Sequence, residues 1–420
     1  MPEIIKPTIL MEGFDYYDPS SANYLTRWTV SPPSGLEYQP AGGRRGGGMV
    51  RLRSCAMQTQ VVLAQGKHSI VIGMAVRFSS LPSSGCAVFL QMLYLGSSQA
   101  DIAILPSGFL ALYQYGQFVM RMFDSPLVAN WWYYIEVMTT DSSSIAFWVN
   151  GVYLGQVEYH AMTDGNLILC SNSNEYQLLC DVNHIDFDDI YVRNFLGGDD
   201  SDNVLGNVRV DTLRPVNNAS LIQWTPSSGT NYQCVDDPLF DNGLDYVQTS
   251  DLSAIDSYSF TQIEDLSTIF AVQENVFALG NSQQVPAGQD NTYKTALQIS
   301  DALYYIPEAH IVNSLPGLYG NAHTTPNYIW DLNPATSLPW TTETLNATLF
   351  GIKPEYIYMI VPSWIRIGQY VVEVLSSAGF MPPPPVITQW PHDFLEVPNA
   401  SIGEIAGVPI SSIKDVAGVE

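Results

Sequence analysis

Apolar residues in the first half of the chain fall in short runs of β-branched and aromatic side chains, cut by Gly, Pro, Ser, Asn and Asp. Residues 69–78 (SIVIGMAVRF) read as a strand stopped by Ser79-Ser80-Leu81-Pro82. Residues 86–94 (CAVFLQMLY) are apolar at successive positions, which suits a strand in a two-layer core. Further strand patterns follow at 100–105, 109–115 and 118–123. Many short strands with turn residues between them predict a sandwich or barrel. Residues 131–138 (WWYYIEVM), the polar turn 140–144 and residues 145–155 (IAFWVNGVYLG) then predict a hairpin. Asn150-Gly151 supplies the two positive-φ positions of a type I′ turn. Alternation places Ile145, Phe147 and Val149 on one face.

Beyond a Gly/Asp-rich linker at 196–203, strand patterns recur at 268–279 and 293–299. Residues 338–350 carry one short helix, capped by Thr341 and ended by Gly351. The acidic stretches 235–245 and 251–265 are expected on the surface. Four consecutive prolines at 382–385 predict a stiff polyproline spacer. Beyond it, residues 402–408 (IGEIAGV) match 413–419 (IKDVAGV), a repeat of 11 residues. A short apolar-punctuated tail cannot build its own core. Ile402, Ile405, Val408, Ile413, Val416 and Val419 are therefore candidate contacts of a docking arm, with a disordered terminus as the alternative. The expected organisation is all-β: one sandwich over 1–196, a second, smaller antiparallel sandwich with one short helix over 197–375, and an extended arm over 376–420.

Charge narrows the partners. The chain carries 16 Lys and Arg against 41 Asp and Glu, a net of −25. Residues 1–215 hold 12 basic and 20 acidic groups; residues 216–420 hold 4 and 21. Such a surface repels phosphate backbones and anionic membranes, so neither nucleic acid nor membrane is an expected partner. No apolar run approaches a membrane span, and the first residues lack a signal-peptide pattern, which points to folding in the cytosol. Five cysteines (55, 86, 170, 180 and 234) without a C-x-x-C are expected as buried free thiols.

The W-W-Y-Y-I-E-V and F-W-V-N-G-V segments, followed by Phe187-Asp-Asp-Ile-Tyr-Val192, resemble the concanavalin A-like (laminin-G-like) jelly roll. That resemblance implies that the last strand of the domain pairs with a first strand near Met11–Tyr16. Residues 10–15, 42–46, 49–53, 206–215 (GNVRVDTLRP) and 224–237 together resemble a group of phage tail or virion proteins. The 402–419 repeat is likewise similar to repeats in phage appendage proteins. The resemblance implies a virion structural protein assembled in the host cytoplasm, with other virion proteins and copies of itself as partners. The alternative it leaves open is a host-glycan-binding adhesin on the particle.

No catalytic role is expected. Glucanases of the jelly-roll type carry E-x-D-x-x-E, which aims alternate carboxylates into one cleft; the spacing is missing here, as are H-x-H, H-x-x-x-H and G-x-S-x-G. No cofactor is expected. Asp186, Asp188 and Asp189 are the candidates for calcium, with capping of a strand end as the alternative reading. Arg44 and Arg45, in a Gly-rich segment with Arg51 and Arg53 nearby, are candidate contacts to an acidic neighbouring subunit; a solvated hairpin is the alternative. Trp131 and Trp132 offer stacking surfaces for sugars, but core packing is expected of both.

Overall fold

The computed structural model describes residues 8–17, 28–61, 70–94, 97–114, 117–121, 126–140, 144–158, 165–170, 182–194, 204–238, 244–264, 268–280, 291–300, 302–306, 310–312, 323–357 and 364–378, with the pairs 404–405 and 408–409. Almost all of its regular structure is antiparallel β-sheet, arranged as two sandwiches.

One sheet of the first sandwich has eight strands. Its path runs Val152–Glu158, Ser144–Val149, Tyr133–Thr140, Ile70–Phe78, Ile185–Asn194, Met49–Leu52 and Leu36–Gln39, and Thr8–Glu12 also pairs with Ile185–Asn194. The other has seven: Gln117–Arg121, Leu110–Gln114, Ser97–Ile104, Ala87–Tyr94, Gly165–Cys170, Ala56–Val61 and Thr29–Ser31. Alternate residues of both sheets, among them Ile72, Met74, Val76, Phe89, Ile102, Leu112, Ile135 and Phe187, fill the core between them. The expected pairing of first and last strands is present, with Leu10 opposite Val192 and Met11 opposite Tyr191. The Asn150-Gly151 turn is as expected, with φ of 51° and 79°. The Asn150 side-chain oxygen also accepts from the Tyr134 amide at 2.8 Å, which ties the turn to the strand before it.

The second sandwich has two six-stranded sheets. The first contains Thr225–Pro226, Val247–Thr249, Ile365–Ser377, Ile269–Gly280 and His323–Trp330, with Val208–Leu213 paired to Ile365–Ser377. The second contains Pro215–Ile222, Asp256–Phe260, Leu349–Tyr356, Asn291–Ile299 and Ala302–Tyr305, with His310–Val312 paired to Asn291–Ile299. Tyr258, Phe260, Tyr293, Phe350, Tyr370 and the tryptophans 224, 330 and 340 fill its core.

Two expectations are corrected. The helix is one turn, Thr342–Asn346, with the expected Thr341 cap, but Gly351 does not end it: Ala347 does, and Gly351 lies within the strand Leu349–Tyr356. The stretch 251–265 is not all surface, because Asp256 is 1% exposed. Its carboxylate accepts from the amides of Gln223 and Trp224, the Asn231 side chain and the Tyr258 hydroxyl at 2.6–2.9 Å. Four donors outweigh the cost of burying one charge. Trp131 and Trp132 are each half-buried against a core and precede the strand rather than starting it. Cys55, Cys86 and Cys234 are buried. The linker 196–203 and Cys180 lie outside the described residues. So does most of the arm; of its candidate contacts, Ile405 and Val408 alone are placed, as partners in a two-residue ladder.

Gly73 shows how tightly the eight-stranded sheet is locked. The Tyr191 ring crosses it so closely that an added Cβ would lie 2.1 Å from a ring carbon. Tyr191 is fully buried and has nowhere to move. Gly73→Ala is therefore expected to destabilise the chain by about 1–3 kcal/mol in denaturant unfolding, whereas Gly151→Ala meets no atom within 4 Å and loses only the ease of its positive φ.

Candidate functional site

Of the residues that the sequence singles out for chemistry, Arg44, Arg45, Asp188 and Asp189 lie at the seam between the sandwiches. The Gly-rich segment 42–48 folds back on itself through Gly43 N–H to Gly47 O at 2.8 Å. This close approach needs glycine: a Cβ on Gly48 would sit 2.2 Å from the Phe14 carbonyl oxygen. The turn aims Arg44 inward. Its side chain is 2% exposed and pairs with Asp189 at 2.8 Å. It also donates to Asn207 Oδ1 at 2.5 Å and to the Val208 carbonyl, and lies over the Tyr134 ring. Arg45 donates to the Ala378 carbonyl. Both arginines thus bind the second sandwich of their own chain, where the sequence suggested a neighbouring subunit.

The three aspartates separate. Asp186 pairs with Arg51 and Arg77, both at 2.7 Å. Asp189 sits at a bulge with φ of 48°, which turns its carboxylate toward the Val210 amide at 2.7 Å as well as toward Arg44. Asp188 accepts from the amides of Arg44 and Asp189 at 2.7 and 2.8 Å. Guanidinium and amide donors meet them, and no cluster of metal-ligating side chains is found among the described residues. They read as structural carboxylates, closer to the capping alternative than to a calcium site.

Glutamates that sequence reasoning passed over complete the seam. Glu136 accepts from the Tyr191 hydroxyl and from the amides of Leu205 and Gly206 at 2.9 and 3.0 Å. Glu373 accepts from the Gly13 amide at 2.7 Å and from Gln273 and Asn275 at 2.8 and 2.7 Å. Arg214 donates to the Asp15 carbonyl at 2.7 Å. Apolar contacts run alongside: Met11, Val71, Tyr134 and Tyr191 pack with Val208, Val210, Ala271 and Leu375, and Phe277 and Val371 join the first core. Burial raises several of these carboxyls. Asp15 and Glu136 rise to about 7, Asp211 rises to about 6, and Asp188 also rises, helped by its neighbours Asp189 and Asp15.

A second candidate lies on the outer face of the seven-stranded sheet. Leu90, Ile102, Leu112 and Leu169 point into the core, so their neighbours Gln91, Asp101, Tyr113 and Ile168 point out. Cross-strand pairing aligns Gln58, Ile168, Gln91, Asp101, Tyr113 and Phe118 in one row. Gln91 donates to Asp101 at 2.8 Å. Tyr113 meets Phe118 edge-on at 5.6 Å between ring centroids, and Phe118 is 55% exposed at the sheet edge. The centre of the row is shielded and its aromatic end is open. Nothing in the sequence marked this row, because it depends on the register of six paired strands, two of which, Ala56–Val61 and Gly165–Cys170, lie apart from the consecutive four.

No family model and no curated protein matches the chain. Solved structures similar to it include the cellulose induced protein Cip1, at 15% identity over 44% of this chain and 96% of that one, with a TM-score of 0.35. The binding domain of Paraclostridial Mosquitocidal Protein 1 is similar at 10% identity over 71% and 75%, with a TM-score of 0.35. Domain 4 of AbnA, a GH43 extracellular arabinanase from Geobacillus stearothermophilus, in complex with arabinotriose, is similar at 12% identity over 45% and 93%, with a TM-score of 0.33. Likeness at this level carries no argument about activity.

Two measurements check the seam. Arg44→Met strands Asp189 in a dry interface and is expected to cost about 3–5 kcal/mol in denaturant unfolding. Arg53→Ala, which removes a 46% exposed partner of Glu37, is expected to cost less than about 1 kcal/mol. The raised carboxyls also set a pH dependence. Asp15, Glu136 and Asp211 hold protons in the folded state at pH values where the unfolded chain has lost them, so their contribution is full below about pH 4 and is lost as pH rises to about 7. The melting temperature should be higher at about pH 5 than at about pH 8, and Asp15→Asn should reduce that difference.

Proposed function

We propose that this chain is a non-enzymatic glycan-recognition protein, carried on a phage particle, that presents the aromatic end of an outer sheet face to host-surface sugars. The observation that carries the reading is the row ending in Tyr113 and Phe118. An open aromatic face stacks on the C–H face of a pyranose, while neighbouring amides and hydroxyls hydrogen-bond its hydroxyl groups. Phe118 keeps 55% of its surface exposed on an edge strand, where a sugar face can reach it. The buried carboxylates support a role without catalysis. Glu12, Glu136, Glu274 and Glu373 are each 0% exposed and take donors from their own chain.

The phage context rests on the resemblance of residues 206–215 and 224–237, which form the seam strand Val208–Leu213 and the loop that feeds Asn231 to Asp256. These motif residues build the frame, so they also favour a second reading: a virion structural subunit whose 402–419 arm docks on a neighbour.

The test is a glycan array probed with the full chain, since residues 1–196 share a core with Phe277 and Val371 and are not a suitable fragment. Binding to a defined glycan set is expected, with Phe118→Ala reducing affinity by about tenfold, the equivalent of one stacking contact of about 1.4 kcal/mol. A blank array at high protein concentration would sink the glycan reading and leave the structural one.

A further inference from the structure

The second sandwich carries a guanidinium in close contact with two aromatic rings. On its outer face, the strand pairs Thr225–Gln248 and Gln248–Arg366 align three side chains in a row. Val247, Ile365 and Ile367 point the other way, into the core. The Arg366 Cζ lies 3.8 Å from the Trp364 ring centroid and 4.0 Å from that of Tyr246. Its Nε donates to Gln248 Oε1 at 3.0 Å. Among the described residues its two terminal nitrogens meet no acceptor.

That setting is unusual for this half of the chain, where residues 216–420 hold 4 basic and 21 acidic groups. Lys294 is paired with Glu355 at 3.1 Å, and Lys353 lies over the Tyr305 ring at 5.5 Å. Lys414 lies outside the described residues. Arg366 is not paired with any carboxylate among them, although carboxylates are the commonest side-chain anions here. Contact with two rings and the bond to Gln248 hold the guanidinium in place. A planar fork held this way matches the two oxygens of a carboxylate and loses little entropy in binding one. Trp364, Tyr246, Gln248 and Arg366 are all half-buried, so each keeps surface open to solvent.

We propose that Tyr246, Gln248, Trp364 and Arg366 form a subsite for the carboxylate of an acidic sugar such as a uronate or sialate. This deepens the glycan-recognition reading and rests on it. The rings favour a sugar over an acidic peptide: they flank the fork with apolar surface suited to pyranose C–H groups, and the free amide nitrogen of Gln248 can donate to a ring hydroxyl. The negative surroundings give no long-range help to an anion. With charges screened over about 8 Å at physiological ionic strength, the contact geometry at Arg366 decides.

The experiment is calorimetric titration of the full chain with oligogalacturonate, alginate oligomers and oligosialic acid, each beside its neutral methyl ester, with tryptophan fluorescence followed in parallel. At least one acid is expected to bind about tenfold or more tightly than its ester. Arg366→Gln is expected to abolish that preference. Arg366→Lys is expected not to restore it, since an ammonium lacks the fork. Phe118→Ala should leave it unchanged. Equal binding of every acid and ester overturns the proposal, as does an Arg366→Gln chain that keeps the preference. If Arg366→Gln fails to fold, the acid–ester comparison on the unaltered chain still decides. Equal affinity for poly-glutamate would replace the sugar by an acidic peptide and overturn it too. Neutral glycans bound through Phe118 without any acid preference would refute this subsite and leave the broader reading standing. No glycan bound at all would refute both.

Discussion

Arg44 and Asp189 meet at 2.8 Å with side chains only 2% and 6% exposed, where the two sandwiches touch. Taking two charges out of water costs several kcal/mol per ion, which the pair recovers only if every remaining donor and acceptor is met. Here they largely are. Asn207, the Val208 carbonyl and the Tyr134 ring take up the guanidinium, and the Val210 amide takes the second carboxylate oxygen. The partners come from both sandwiches, so neither sandwich can satisfy the pair alone. Glu136 and Glu373 repeat the logic on either side, each a carboxylate from one sandwich held by amides of the other. Apolar contact around Tyr134, Tyr191, Val210 and Leu375 keeps water away and strengthens each of these bonds.

The consequence for function is geometric. One sheet of each sandwich takes part in the seam, and on the seven-stranded sheet the described outer face is buried at its centre and exposed at Phe118. The row ending in Phe118 lies on the seven-stranded sheet, away from the strands that make the seam. Tyr246, Trp364 and Arg366 lie on the second sandwich, on and beside the paired strands Val247–Thr249 and Ile365–Ser377.

The local part of this architecture was legible in the sequence. Short β-rich runs bounded by turn residues located the strands Ile70–Phe78 and Ala87–Tyr94, alternation located Ser144–Val149, and the Asn150-Gly151 pair located the hairpin. The pairing of the first and last strands followed from the jelly-roll resemblance. The seam was not legible, because it is made of residue types that normally face water. Arg44 and Arg45 read as a contact to another subunit, and Asp256 as part of a surface turn, because burial of a charge depends on partners far along the chain. Arg44 to Asn207 spans 163 residues and Gly13 to Glu373 spans 360. Gly351 was misread as a helix end because a glycine after a helical pattern usually signals one; here it lets the strand backbone pass close to the Asp256 carbonyl, which an added Cβ would approach to 2.7 Å.

The central claim is that the buried polar seam makes two sandwiches into one cooperative unit, and differential scanning calorimetry of the full chain tests it most directly. A single transition, with a van't Hoff enthalpy equal to the calorimetric enthalpy, is the result predicted for a chain whose halves cannot satisfy their charges apart. Two resolved transitions, or a van't Hoff enthalpy near half the calorimetric one, would contradict it and show that the sandwiches unfold independently.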